Sequence, residues 1–448
     1  MRSRQSSPVF ILASIEYSKG GDRQVKKTLR ISLLTVALVV FLVGWGVQAA
    51  DDKPLKGVTI TFAVQSMPTM TKAIAMLPQF TEETGVNVKV DLMPYDSLVQ
   101  KITIDLTTGT KQYDVFWMEP TWLGRFKSDF EPIDRFINDP KIGIDLKDFD
   151  PVFFEQTQEY DGKIYGLPFD ACLLLLAYRE DVYEELGLEV PETWEEYLEN
   201  VKIIDEKSNV RGVSLMGKRG QPVFYEFLPY FWGFGGEFFD SNMKPTLNTP
   251  EGVKALEYMV ELSKYAPAGV PTFGWEESAT EFLQGRAAHA FIFSDWVPAL
   301  KDPESCTVTK TWNFMKTPKG PSEGSPVGTI NIGINKDITE QKKEAAYLLL
   351  KWITGYEVQK ELAVIGGAPS RLSVLNDPEF ATEEYRYFKA IKETFPIEKV
   401  PMKIPEFFKL NEALSVQLSS ALSGEKTPKK ALDDAQKSWE EIMKEAGY

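Results

Sequence analysis

Gly320-Pro321-Ser322-Glu323-Gly324 has the G-x-S-x-G spacing of a nucleophile elbow. That chemistry needs a strand before the serine, a helix after it and a histidine later in the chain. The only histidine, His289, comes earlier, and Lys319, Pro321 and Pro326 give the segment a loop composition, so acyl transfer is not supported. One histidine and two distant thiols, Cys172 and Cys306, supply no nitrogen–sulfur ligand set for zinc or iron. Gly235-Gly236 and Gly366-Gly367 lack the Lys-Ser/Thr of a phosphate loop and do not match G-x-G-x-x-G. They read as tight turns, and no cofactor is expected. Carboxylates and indole rings remain, groups suited to holding a solute rather than transforming it.

Composition narrows the setting. The 448 residues carry a formal charge of −15, and residues 1–49 hold seven basic and two acidic side chains, leaving about −20 on the remainder. Such a surface repels nucleic acid and anionic lipid. Lys26, Lys27 and Arg30 precede an apolar segment, Ile31 to Val43, and Val47-Gln48-Ala49 offers small residues at a peptidase site. This predicts a signal peptide cleaved after Ala49, with an apolar core shorter than the ~20 residues of a spanning helix. Residues 1–24 lengthen the charged head, which a misassigned start codon would explain. No cysteine stands near the cleavage site, so a free periplasmic protein is expected rather than a lipid-anchored one. Two cysteines allow one bridge at most, and Cys172 reads as a packed free thiol.

Short apolar runs alternating with amphipathic stretches predict an α/β protein built on parallel sheets. Strands are expected at Gly57–Gln65, Val86–Leu92, Tyr113–Trp117, Ala287–Phe293 and Thr329–Ile334. Helices are expected through Phe80, after an Asp96 cap, near 249–265 with Pro250 in the first turn, from Glu340 to Ile353 and near 428–446. The most informative unit is 159–200. Ala171 to Ala177 is continuously apolar, which predicts a buried parallel strand. Thr193 with Glu196 then forms a T-x-x-E capping box after Pro191.

That order of parts, followed by WGFGGEFFD at 232–240, FLQGRAAHAFIFSDW at 282–296, GINK at 333–336 and GGAPSR at 366–371, with YDV at 113–115 ahead of it, resembles the family 1 extracellular solute-binding proteins of bacterial ABC importers. The motifs span nearly all of 57–371. His289 stands where methionine is commoner in the family phrase, a difference expected to alter packing rather than function. The resemblance implies a type II periplasmic binding protein fold with two discontinuous α/β lobes, roughly 50–177 with 316–372 and 178–315 with 373–448. It also implies a monomer that closes around a sugar or related solute and delivers it to a membrane permease.

In such a fold the crevice lies at the carboxyl ends of strands. Gln65 and Ser66 end the first strand, Glu119 and Trp122 follow the third, Asp170 precedes the apolar run, and Ser294, Asp295 and Trp296 follow Ala287–Phe293. These, with Trp232, Trp275 and Arg371, are the candidate ligand-binding residues. Sugar hydroxyls donate to carboxylates while pyranose C–H faces lie on indole rings. Glu276 and Glu277 are expected to complement a helix dipole, and Asp114 to be structural. Two other readings use the same residue types: a secreted glycosidase, which needs two carboxyl groups at a fixed separation, and capture of a polyamine by carboxylates and aromatic faces.

Overall fold

Strands Thr59–Gln65 (β1), Asn87–Met93 (β2), Val115–Met118 (β3), Gly166–Asp170 (β4) and Ile330–Ile334 (β8) form one sheet in the order β2-β1-β3-β8-β4. Leu174–Arg179 (β5), His289–Phe293 (β6) and Trp312–Met315 (β7) form a second, in the order β6-β5-β7. This computed structural model describes residues 53–448, so the leader expected at 1–49 lies outside the described residues.

Pairing in the first sheet is mixed. β1 runs parallel to β2 and β3, whereas β8 is antiparallel to both β3 and β4. The expectation of parallel sheets therefore holds for only part of it. The strand predicted at Ala171–Ala177 starts three residues later, as β5, and is antiparallel to both neighbours. All six of its residues are buried, with Leu174, Leu176 and Tyr178 in one apolar core and Leu175 and Ala177 in another. A continuous apolar run reports burial of both faces, and that condition is met whichever way the neighbouring strands run.

Helix termini follow their local chemistry. Thr193 caps Trp194–Lys207, accepting from the Glu196 amide while the Glu196 carboxylate accepts from the Thr193 amide. Thr249 and Thr427 cap Pro250–Ser263 and Pro428–Ala446, each with proline at the first helical position. The helix expected after an Asp96 cap begins earlier, Tyr95–Thr108 with Pro94 preceding it, because Pro94 ends the strand. Asp114 is indeed bound into the framework, accepting from Thr61 N and from Lys342 Nζ at 2.8 Å.

The chain leaves the first sheet at Asp170, enters the second at Leu174, and returns between Met315 and Ile330. Hydrogen bonds tie these crossings together: Thr329 Oγ1 donates to Ala171 O at 3.0 Å, Ser325 Oγ to Leu174 O at 3.1 Å and Gly328 N to Cys172 O at 3.2 Å. Cys172 takes φ 42°, a left-handed backbone uncommon outside glycine, at the point where the chain changes sheets. The 320–324 segment is a loop between β7 and Ser325, with Ser322 N bonded to Gly233 O, so Ser322 sits on no strand-to-helix elbow.

Candidate functional site

Strand ends from both sheets converge on a cavity of about 300 Å³. From the first sheet, Gln65 ends β1, Trp117 stands in β3 and Glu119 follows it. From the second, Phe293 ends β6, with Asp295 and Trp296 in the turn beyond. Cys172 and Gly328 supply the wall where the crossings pass. Helix starts close the remaining sides: Tyr95, Trp275 with Glu276, and Gln221 with Tyr225 from helix Gln221–Gly233. A wider recess of about 790 Å³ shares Tyr95, Gln221, Trp275 and Glu276 and leads on past Lys218 and Arg219.

The aromatic wall is a chain of ring contacts. Tyr95 meets Trp117 edge-on at 5.9 Å, Tyr225 meets Trp275 edge-on at 5.6 Å, and Trp275 lies 5.1 Å from Phe293. Edge-to-face and tilted packing fixes each ring in the wall.

The polar groups are acidic. Burial raises the Glu119 carboxyl above its usual range, partly offset by hydrogen bonds from Tyr95 and Thr121. Burial raises Asp295 to about 6, and its Oδ1 has no hydrogen-bond partner among the described residues. Behind it, Asp170 at the end of β4 is 1% exposed; burial and then the Asp295 charge raise it to about 7. Its Oδ1 accepts from Cys172 N at 3.0 Å; its Oδ2 has no closely placed hydrogen bond among the described residues, although the buried Thr69 hydroxyl stands near enough to lower the carboxyl. Among the described residues no lysine or arginine lines the cavity.

Of the candidates named from sequence, Gln65, Glu119, Trp275, Asp295 and Trp296 share the cavity, and buried Asp170 lies near enough to feel the Asp295 charge without lining the cavity. The others go elsewhere. Ser66 is exposed, and its amide donates to Met93 O at 2.8 Å. Trp122 is a core residue packed edge-on to Trp117 and Phe126. Trp232 is buried against Phe238, with Lys399 Nζ 5.7 Å from its ring. Ser294 Oγ accepts from Leu173 N at 3.0 Å and so serves the crossing. Arg371 is ion-paired with Asp148 at 2.8 Å and lies over Phe149. Glu277 accepts from Gly274 N as a helix cap, while Glu276 stands exposed on the cavity rim.

Sequence reasoning missed Tyr95, Trp117, Gln221 and Tyr225. Tyr95 was within reach, since it follows Pro94 at the end of β2, where the strand-end rule applies. Gln221 and Tyr225 share a helix face through their i, i+4 spacing, but the surrounding QPVFYEFLPYFWG reads as core throughout.

Two sheets joined by tied crossings, with a carboxylate-and-aromatic cavity at their strand ends, define a type II periplasmic binding protein architecture. The chain belongs to the bacterial extracellular solute-binding proteins, matching that family over residues 65–360. It is 26% identical over 384 residues to a probable amino-acid ABC transporter periplasmic-binding protein of Sinorhizobium fredii, covering 82% of this chain and 85% of the relative. It is 24% identical to a mannitol-binding protein of Pseudomonas aeruginosa, covering 87% and 94%. Among solved structures, an ABC transporter solute-binding protein from Agrobacterium radiobacter K84 in complex with ribitol superposes with a TM-score of 0.76 at 30% identity, covering 87% of this chain and 99% of that one.

Proposed function

We propose that this protein captures a small neutral polyhydroxy solute, a polyol or monosaccharide, in the cavity between its sheets and presents it to the permease of an ABC importer. The carrying observation is the wall itself: Asp295 with an unpaired carboxylate oxygen, the Glu119 carboxyl, aromatic rings and, among the described residues, no basic side chain. A volume near 300 Å³ is at the small end for ligand sites and suits one sugar-sized unit. A free amino acid fits less well, because within the cavity its carboxylate would meet acidic groups, the cations Lys218 and Arg219 standing only in the wider recess beyond. The mannitol-binding relative and the ribitol-bound structural neighbour support the polyol reading.

The leader is removed after Ala49, and the protein works in the periplasm as a monomer. Its lobes, 50–177 with 316–372 and 178–315 with 373–448, close about the crossings at 170–174 and 325–329. Two of the three apolar cores support this division, one drawing on Leu55–Cys172 and Ile330–Leu362 and another on Leu174–Phe291, Met315 and Met402–Met443, while the third packs Phe153, Ala171 and Val327 with Phe282, Ile292 and Phe395 across the boundary. Closure wins when the bound solute makes contacts that the open form lacks.

The acidic wall also favours a second reading, capture of an amine. A thermal-shift panel decides: polyols or sugars should raise the melting temperature with little dependence on salt, whereas stabilisation by diamines alone, weakened by salt, would replace the proposed solute class.

A further inference from the structure

Asp170 ends a strand of the first sheet and Asp295 follows a strand of the second, yet the Asp295 charge acts on buried Asp170 behind the cavity wall. Asp170 is sealed, and one oxygen of each carboxylate lacks a partner among the described residues. The ionisable groups around them are Glu119 beyond β3, Cys172 in the crossing, Tyr387 and Glu398. None is cationic. Glu398 is itself buried with neither oxygen paired, and the adjacent Lys399 turns away to Glu237 at 3.4 Å. With Asp170 sealed, Asp295 partly buried on the cavity wall and no cation among these described neighbours, the two carboxylates cannot both remain charged at low cost.

We propose that solute capture is linked to uptake of one proton by the Asp170–Asp295 pair. The inference rests on the reading of this cavity as the solute site. In the open cleft water reaches the floor and both carboxylates ionise. Closure around a neutral solute removes that water, and a proton from solvent joins one carboxyl oxygen. The protonated pair then offers an O–H donor as well as acceptors, matching hydroxyls that both give and receive hydrogen bonds. Burial pushes Asp170 up to about 7, the Asp295 charge adding to it, and Asp295 up to about 6, in keeping with one proton held between them.

The test is titration calorimetry of the mature chain with mannitol and ribitol from pH 5.5 to 8.5, in pairs of buffers differing in ionisation enthalpy. Expected are net proton uptake near neutral pH and an affinity falling by up to about tenfold per pH unit above it. Asp170→Asn should flatten that profile; the wild-type buffer dependence decides by itself if the variant does not fold. Binding with no buffer dependence and a flat pH profile would overturn the proton linkage while leaving polyol capture intact. No binding of polyols or monosaccharides would overturn the proposed function and this inference together. Binding of diamines with proton release would overturn both in favour of cation capture.

Discussion

Tyr183 Oη and His289 Nε2 lie 2.7 Å apart in the second half of the molecule, both buried. The other ring nitrogen, Nδ1, is 2.7 Å from the Gly212 carbonyl, which only accepts, so Nδ1–H donates there and Nε2 accepts the Tyr183 hydroxyl proton. Burial holds the imidazole down at about 4, and the neutral ring packs edge-on against Tyr183 and Tyr197.

A folded-state value below the ordinary 6.5 means the unfolded chain binds more protons between the two. The stabilisation is complete above about pH 6.5 and is lost as pH falls toward 4, roughly 3 kcal/mol in all. Urea unfolding of wild type and His289→Gln should diverge across that window, with a shallower slope for glutamine, which can keep both hydrogen bonds. Equal slopes would refute this account of the ring.

Glu226 predicts the opposite trend. Buried in the same core, it accepts from Met216 N and Tyr230 Oη, and burial raises it to about 8. The folded chain now binds more protons, so stability is greatest below about pH 4.5 and declines as pH rises toward 8. Glu226→Gln should remove that decline and be more stable than wild type at pH 8 by chemical denaturation.

Trp296 and Trp122 should separate binding from folding. Trp296 is partly exposed on the cavity wall, so Trp296→Ala should weaken solute binding by on the order of 1–3 kcal/mol with little change in melting temperature. Trp122 is 1% exposed, and Trp122→Ala should cost about 3–5 kcal/mol of stability. Calorimetric titration and thermal unfolding of both variants check the pair of outcomes.

Gly328 has no room for a side chain. An added Cβ would stand 2.6 Å from Phe293 Cε1 and 3.0 Å from Cys172 O, on the cavity wall and beside the crossing. Gly328→Ala must displace Phe293 or the crossing itself, a strain of about 1–3 kcal/mol. Solute affinity should fall by about tenfold or more, while an unchanged Kd would show that the crossing adapts freely.

The fold was readable where local chemistry is decisive. The Thr193–Glu196 box, the prolines at 250 and 428 and the Glu340–Ile353 helix lie where the residues indicate. Strand direction was not readable, because the apolar run into β5 encodes two covered faces and nothing about its neighbours. At the site, proximity to a strand end indicated Asp295 and Trp296 but could not show that Trp122, one turn beyond Glu119, points into the core. Arg371 carries an exposed residue's chemistry in sequence, and only the fold supplies Asp148 as its partner. Gln221 and Tyr225 reach the cavity from a helix whose aromatic excess hides which face is wet.

If two lobes shut around a solute held at the Asp295 and Trp296 wall, the molecule becomes more compact on binding. Small-angle scattering of the mature protein with and without saturating polyol measures this most directly. A decrease in radius of gyration on binding, abolished together with binding in Trp296→Ala, is the predicted result. An unchanged radius under conditions where calorimetry shows the solute bound would contradict it.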